Sequence, residues 1–181
     1  MKQGLLSYIL ITLLIGLGFT AFSQEVLPYS ENFESNFGNW VNVGGDDFDL
    51  SRNTGGTPSN GTGPSAAQSG DYYVFAEASN PNSPSKTASL ENTFDFTGAF
   101  FPTLQFYYHM YGNRMGSIHI DVNDGVWNTD IWTIVGQQQA SDVAPWTLAN
   151  VDLSAFSNQN NIIIRIRVLT GNGFRSDAAF D

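Results

Sequence analysis

Apolar residues recur at every second position in short runs along this chain, and Gly, Asn, Ser and Pro separate the runs. In "SIHIDV", Ile118, Ile120 and Val122 share one face and Ser117, His119 and Asp121 the other. In "NIIIRIRVL", Ile162, Ile164, Ile166 and Val168 point one way, and Arg165 and Arg167 the other. "TLQFYYHMY" sets Leu104, Phe106, Tyr108 and Met110 opposite Gln105, Tyr107, His109 and Tyr111. Both of its faces are largely apolar or aromatic, as in a strand inside a sheet. "DYYVFAEA", "IWTIV" and "WTLANVDL" are further strand candidates. Beyond the first 23 residues almost nothing carries a helical period. Short alternating strands at this spacing predict an all-β antiparallel sandwich or barrel, and an aromatic content of 14% suits a β core.

The first residues read differently. Met1-Lys2-Gln3 is a short basic start, Leu5 to Phe22 is an apolar run, and Ala21 and Ser23 in "AFSQ" are small residues placed for a signal peptidase. This pattern predicts a secretory signal peptide over residues 1–23, cut after Ser23, in preference to a membrane anchor. No membrane insertion is expected after cleavage. Residues 24–181 then form one domain, long enough for a core without staples. The chain has no Cys, so packing, with or without a metal, has to stabilise an exported fold. Seven basic against 17 acidic residues give a net charge of −10. That charge disfavours nucleic acid and anionic membranes, and suits cation binding or solubility.

"TGGTPSNGTGPS" could be a linker, a phosphate loop or a long loop of one domain. No Lys-Ser or Lys-Thr follows its glycines and no helix comes after it, so it is not a Walker loop. The segment before it is too short for a domain, which leaves an ordered surface loop within one sandwich. The formal glycosylation triplet "NGT" at Asn60 agrees with a surface position.

"ENFES" at Glu31–Ser35, Trp40, "DDFDLSRNTGGTPSNGTGPS" at Asp46–Ser65, "GDYYVFAEAS" at Gly70–Ser79, "LQFYYHMYG" at Leu104–Gly112, "PWTLANVDL" at Pro145–Leu153 and "DAAFD" at Asp177–Asp181 follow in order. Together they resemble a MAM domain, the adhesion module of meprins, receptor phosphatases and neuropilins, from Val26 to Asp181. The resemblance implies a jelly-roll-like antiparallel β-sandwich, with the Gly-rich stretch as a long loop between early strands. The animal members usually carry cysteines, so the chain is similar to a bacterial, cysteine-free form. Leu50 stands where the family commonly has Trp. The family's last strand usually reads "FDDI" or similar, so the resemblance implies a domain cut short within that strand at Asp181, in a fragment or the first module of a longer secreted protein.

The same resemblance implies that Glu34, the Asp46-Asp47 pair and Asp181 come together near the chain ends. Hard oxygen ligands there would suit Ca²⁺, tying the first and last strands; solvent-facing or turn-capping acids are the plainer alternative. Trp127, in the turn-like "NDGVWNTD", is the best candidate for an exposed aromatic that stacks on a ligand, although most aromatics here should be core. His109 reads as a hydrogen-bonded strand histidine and His119 as a solvated one. No nucleophile elbow, ordered Ser-His-Asp set or zinc motif is evident, so no catalytic residue and no catalytic cofactor is expected. The expected function is a secreted or cell-surface, non-catalytic module for adhesion to an extracellular protein or a glycan, with self-association as one mode. A carbohydrate-binding or accessory module of a secreted hydrolase or metallopeptidase is the alternative.

Overall fold

The computed structural model describes residues 24–181; the expected signal peptide lies outside them. The chain folds into two sheets packed face to face. The strands are β1 (Glu25–Val26), β2 (Val41–Asn42), β3 (Ser51–Thr54), β4 (Tyr72–Phe75), β5 (Thr87–Asp95), β6 (Thr103–His109), β7 (Ser117–Asn123), β8 (Trp127–Val135), β9 (Thr147–Asp152), β10 (Ile162–Leu169) and β11 (Ala179–Phe180). A single 3₁₀ turn, Ser154–Phe156, is the helical element among the described residues.

The first sheet runs β1-β5-β10-β7-β8, with β2 also paired to β5; the second runs β3-β4-β11-β6-β9. All pairings are antiparallel except β1 with β5. The two-residue period now has a partner at each position. Ile164 lies opposite Val122, Ile166 opposite Ile120 and Val168 opposite Ile118, all facing the second sheet. Leu90 and Phe94 of the first sheet and Val74, Phe106, Val151 and Phe180 of the second complete the buried layer. Each such side chain contributes about 1.5–3 kcal/mol by leaving water. Trp132 packs edge-on against Phe106 at 5.4 Å and lies 5.8 Å from Tyr108, joining β8 to the opposite sheet.

Residues 55–71 form the expected long loop, lying across the outer face of the second sheet. Gly63 N–H donates to Tyr111 O (2.8 Å), Ser65 N–H to Asp142 O (2.9 Å) and Trp146 Nε1–H to Ala66 O (3.2 Å). Beneath it Tyr73, Phe75 and Ala179 form a second small core with Ala67 and Trp146. This outer layer explains why both faces of the inner strands are apolar. Just before β7 and just after β10, Gly116 and Gly171 let two backbones touch: a Cβ on Gly116 would lie 1.8 Å from Leu169 O. No helix of the described residues is long and apolar enough to cross a membrane.

Candidate functional site

The four predicted acids divide into two places. Glu34 and Asp181 both address the turn at 68–72. Glu34 Oε1 accepts the N–H groups of Asp71 (3.0 Å) and Tyr72 (2.9 Å), and Asp181 Oδ2 accepts those of Gln68 (3.0 Å) and Ser69 (3.2 Å). Gly70 closes this turn at φ +66°, and a Cβ there would lie 2.3 Å from Glu34 Oε1. Burial and the nearby Glu34 charge push the Asp181 carboxyl above the usual carboxylate range, against the pull of its two N–H donors.

Asp46 and Asp47 sit elsewhere, against β5 of the other sheet. Asp47 accepts from Lys86 Nζ and from Thr87 N–H, both at 2.8 Å, which hold its carboxyl below the usual range. Burial raises Asp46, opposed by hydrogen bonds from Ser89. The expectation that all four converge is therefore corrected: residues 46–47 follow β2 and are committed to the start of β5. Among the described residues, no group of three or more acids or histidines could hold a metal. Glu34 and Asp181 fit Ca²⁺ in donor type, but two carboxylates fall short of the six to eight oxygens it takes.

Trp127 is not a loop residue: it opens β8, half-buried. The Arg165 guanidinium lies 3.7 Å from its ring centroid, and the same Arg is ion-paired to Glu91 at 2.5 Å. One ring face is therefore already covered by a cation. This contact belongs to a network on the outer face of the first sheet that the sequence analysis missed. Arg167 binds Asp121 through Nε (2.7 Å) and Nη2 (3.0 Å) and reaches Asp130 at 2.7 Å. Asp121 is fully buried. Burial pushes its carboxyl up, but Arg167 and the Asp130 N–H outweigh that and leave it below the usual range.

His119 is also different from expectation. Its side chain is 12% exposed, with Nδ1 bound to Asp130 at 2.7 Å and Nε2 to Ser117 Oγ at 2.7 Å. The order Ser117-His119-Asp130 is that of a hydrolase triad. Ser117, however, is buried within a strand paired on both sides, where neighbouring amides serve the sheet ladders. Asp130 Oδ1 is shared between His119 Nδ1 and Arg167 Nη2, both at 2.7 Å, so the array is continuous with the Arg167 ion-pair network. His109 ends β6, fully buried against Trp146. Its ring nitrogens make no bond of full hydrogen-bond geometry, but the main chain at Ser141 and Ala144 and the Asp142 charge lie near enough to favour the protonated ring; burial outweighs them and pushes it down to about 4.

Two further features had no sequence counterpart. Phe100 and Phe101, in the turn between β5 and β6, are 74% and 86% exposed. Asp177 is fully buried beside the long loop. Its Oδ1 accepts the Ala78 N–H at 2.9 Å, and Oδ2 has no partner. Burial first, then the Glu77 charge, push its carboxyl up to about 7, against the pull of the Ala78 N–H; the nearby Thr57 hydroxyl opposes this only weakly, because it already donates to Thr62 O at 2.9 Å.

Comparison with known proteins agrees with this architecture. The sequence profile described as "MAM domain, meprin/A5/mu" matches residues 32–181. The MAM domain-containing glycosylphosphatidylinositol anchor protein 1 of Homo sapiens is 29% identical over 164 residues, covering 87% of this chain and 16% of that protein. The Gallus gallus protein of the same name is 30% identical over 126 residues, covering 66% of this chain and 12% of that protein. The chain thus spans only a small part of these relatives. Among solved structures, the K2 cleaved adhesin domain of Lys-gingipain superposes with a TM-score of 0.52 at 16% identity, covering 84% of this chain and 98% of that one. The K1 cleaved adhesin domain of Lys-gingipain from Porphyromonas gingivalis W83 gives 0.53 at 11%, covering 78% and 86%.

Proposed function

The chain belongs to the MAM domain family, and from that premise we propose that it is a non-catalytic adhesion or protein-interaction module, secreted or displayed at a cell surface within a larger protein. The observation that carries this reading is the Phe100-Phe101 tip. Two adjacent, largely exposed phenylalanines contribute nothing to the core, and aromatics of this kind are enriched at protein interfaces. The partner is an extracellular protein, and a second copy of the chain is the simplest case. Replacing both residues, Phe100→Ser with Phe101→Ser, should weaken partner binding at least tenfold and leave the melting temperature within about 2 °C, because surface changes are worth under about 0.5 kcal/mol. Sedimentation of the wild-type chain over a concentration series separates self-association from binding to another protein.

We also propose a structural Ca²⁺, resting on the approach of Glu34 and Asp181 to one turn, with these two as the protein carboxylates and backbone carbonyls or water supplying the rest. A cation there would relieve the repulsion between two acids that share one turn. Added Ca²⁺ should raise the melting temperature of the wild type, and that rise should vanish in Glu34→Gln and Asp181→Asn but persist in Asp46→Asn. An equal response in all four chains would remove this proposal.

A further inference from the structure

Two Asn-Gly pairs lie in loops of this chain, Asn60-Gly61 in "SNGTG" and Asn172-Gly173 in "GNGF". A glycine has no side chain to keep its backbone nitrogen away from the preceding carboxamide, so both pairs carry the same latent chemistry. Both asparagines are exposed, yet the fold treats the pairs differently. The backbone after Gly61 is tied down. Thr62 is 3% exposed and bridges to Gly112; its hydroxyl accepts the Asp177 N–H at 2.9 Å, and its carbonyl accepts the Thr57 hydroxyl at 2.9 Å. A Cβ on Gly61 would lie 3.4 Å from Arg175 Nε. Residues 172–174, by contrast, project beyond the close approach of Gly116 and Gly171. Phe174 is 49% exposed, and a Cβ on Gly173 would meet nothing within 4 Å. The ties of this loop lie at its flanks, where Gly171 N–H donates to Ser176 Oγ (2.7 Å) and Arg114 N–H to Arg175 O (3.2 Å).

One contact bears on the reacting atom itself. Arg114 Nη1 donates to Asn172 O at 3.3 Å, and that carbonyl shares a peptide unit with the Gly173 nitrogen. A cation on the oxygen favours the deprotonated nitrogen, which is the nucleophile. The Arg175 guanidinium is on the same loop, 5.4 Å from the Phe174 ring centroid. Among the described residues Arg114 and Arg175 enter no ion pair, and residues 1–23 hold no acid. A carboxylate formed at position 172 would therefore arise beside two cations that lack one.

We infer that Asn172-Gly173 is a site of spontaneous modification by water, at which the folded chain converts Asn172 to aspartate or isoaspartate while sparing Asn60. The Gly173 nitrogen loses its proton to hydroxide and bonds to Asn172 Cγ. The carboxamide nitrogen takes up a proton and leaves as ammonia. One water then opens the resulting succinimide, giving aspartate by cleavage at one carbonyl and isoaspartate at the other. The balance is one water consumed and one ammonia released, with no change of oxidation state. The loop follows β10, at the end of the sandwich opposite the β5–β6 turn, so the inference does not depend on the Phe100-Phe101 tip. The test is a time course of the folded chain in mildly alkaline buffer, read by peptide mass mapping of both sites. Asn172 should convert roughly tenfold faster than Asn60, because reaction at Asn60 has to wait for the tied loop to open. In denaturant the two sites should convert at similar rates, each being a free Asn-Gly pair. Arg114→Gln, at an exposed position, should slow Asn172 about threefold and leave Asn60 unchanged. Equal rates in the folded chain, faster conversion at Asn60, or the same ratio of rates with and without denaturant would overturn the inference. An unaltered rate in Arg114→Gln would overturn the part given to that cation. The Phe100-Phe101 variant should convert Asn172 at the wild-type rate, so the two readings fail separately.

Discussion

Asp177→Asn is expected to raise the melting temperature at pH 8 by roughly 6–12 °C. The folded protein holds this carboxyl near 7, about three pH units above its ordinary value, because it is buried beside Glu77 with one oxygen unmet. Each unit is worth about 1.4 kcal/mol, so the charged form costs the folded state up to about 4 kcal/mol. The sign follows from proton binding. Between about pH 4 and pH 7 the folded chain keeps a proton that the unfolded chain has released. Stability from this group is therefore fully present below about pH 4, falls as pH rises to 7, and is level above. Asn keeps the acceptor for the Ala78 N–H and carries no charge. Its new N–H₂ has the Thr57 hydroxyl and Glu77 nearby, and imperfect pairing there costs about 1 kcal/mol. About 3 kcal/mol remains, at roughly 2–4 °C per kcal/mol for a domain of this size. Melts at pH 5 and pH 8 check it: the difference between variant and wild type should be large at pH 8 and small at pH 5. A variant less stable than wild type at pH 8 would show that the carboxylate is compensated in the fold.

The second large effect has the opposite sign. Asp121→Ala should destabilise the fold by about 3–5 kcal/mol, the usual cost of removing one partner from a buried ion pair. Asp121 is fully buried, takes two bonds from Arg167 and one from the Asp130 N–H at 2.8 Å, and lies opposite Arg165 across the β7–β10 pair. Its loss leaves Arg167 with Asp130 alone and removes the anchor of the bulge between Ile120 and Val122. Denaturant melts of Asp121→Ala, Arg167→Ala and the double variant give the coupling directly, and the double variant should cost clearly less than the sum. Because the Asp121 carboxyl lies below its ordinary range, this stabilisation is present above about pH 4 and is lost as pH falls through the folded value. A single-variant cost under about 1 kcal/mol would mean that water replaces the pair.

The sandwich was legible wherever one face of a strand is buried and the other is not. Ile118, Ile120 and Val122 declare their face through period two, and so do Ile162 to Val168. What the period cannot say is which strands are neighbours. Arg167 meets Asp121 only because β10 inserts between β5 and β7, a matter of topology over 46 residues of chain. For the same reason His119 looked solvated, and Trp127 looked like a loop residue waiting for a ligand. The turn "NDGV" ends one residue before it, and its cover comes from β10. The family resemblance placed all four acids together; Glu34 and Asp181 do share the turn at 68–72, whereas Asp46 and Asp47 lie at the start of β5, since a pair of aspartates in a turn gives no sign of which strand they will cap. Phe100 and Phe101 had no signal at all: an apolar pair reads the same in a core as at an exposed tip.

The central claim is that this MAM domain acts by docking a protein through that tip. The direct measurement is photo-crosslinking from position 101 in the native protein on its own cells, compared with position 124 in the exposed β7–β8 turn. The account predicts a saturable crosslink to a defined protein, or to a second copy, from position 101 and little from position 124. Equal yields from both positions, or no crosslink from 101, would contradict it.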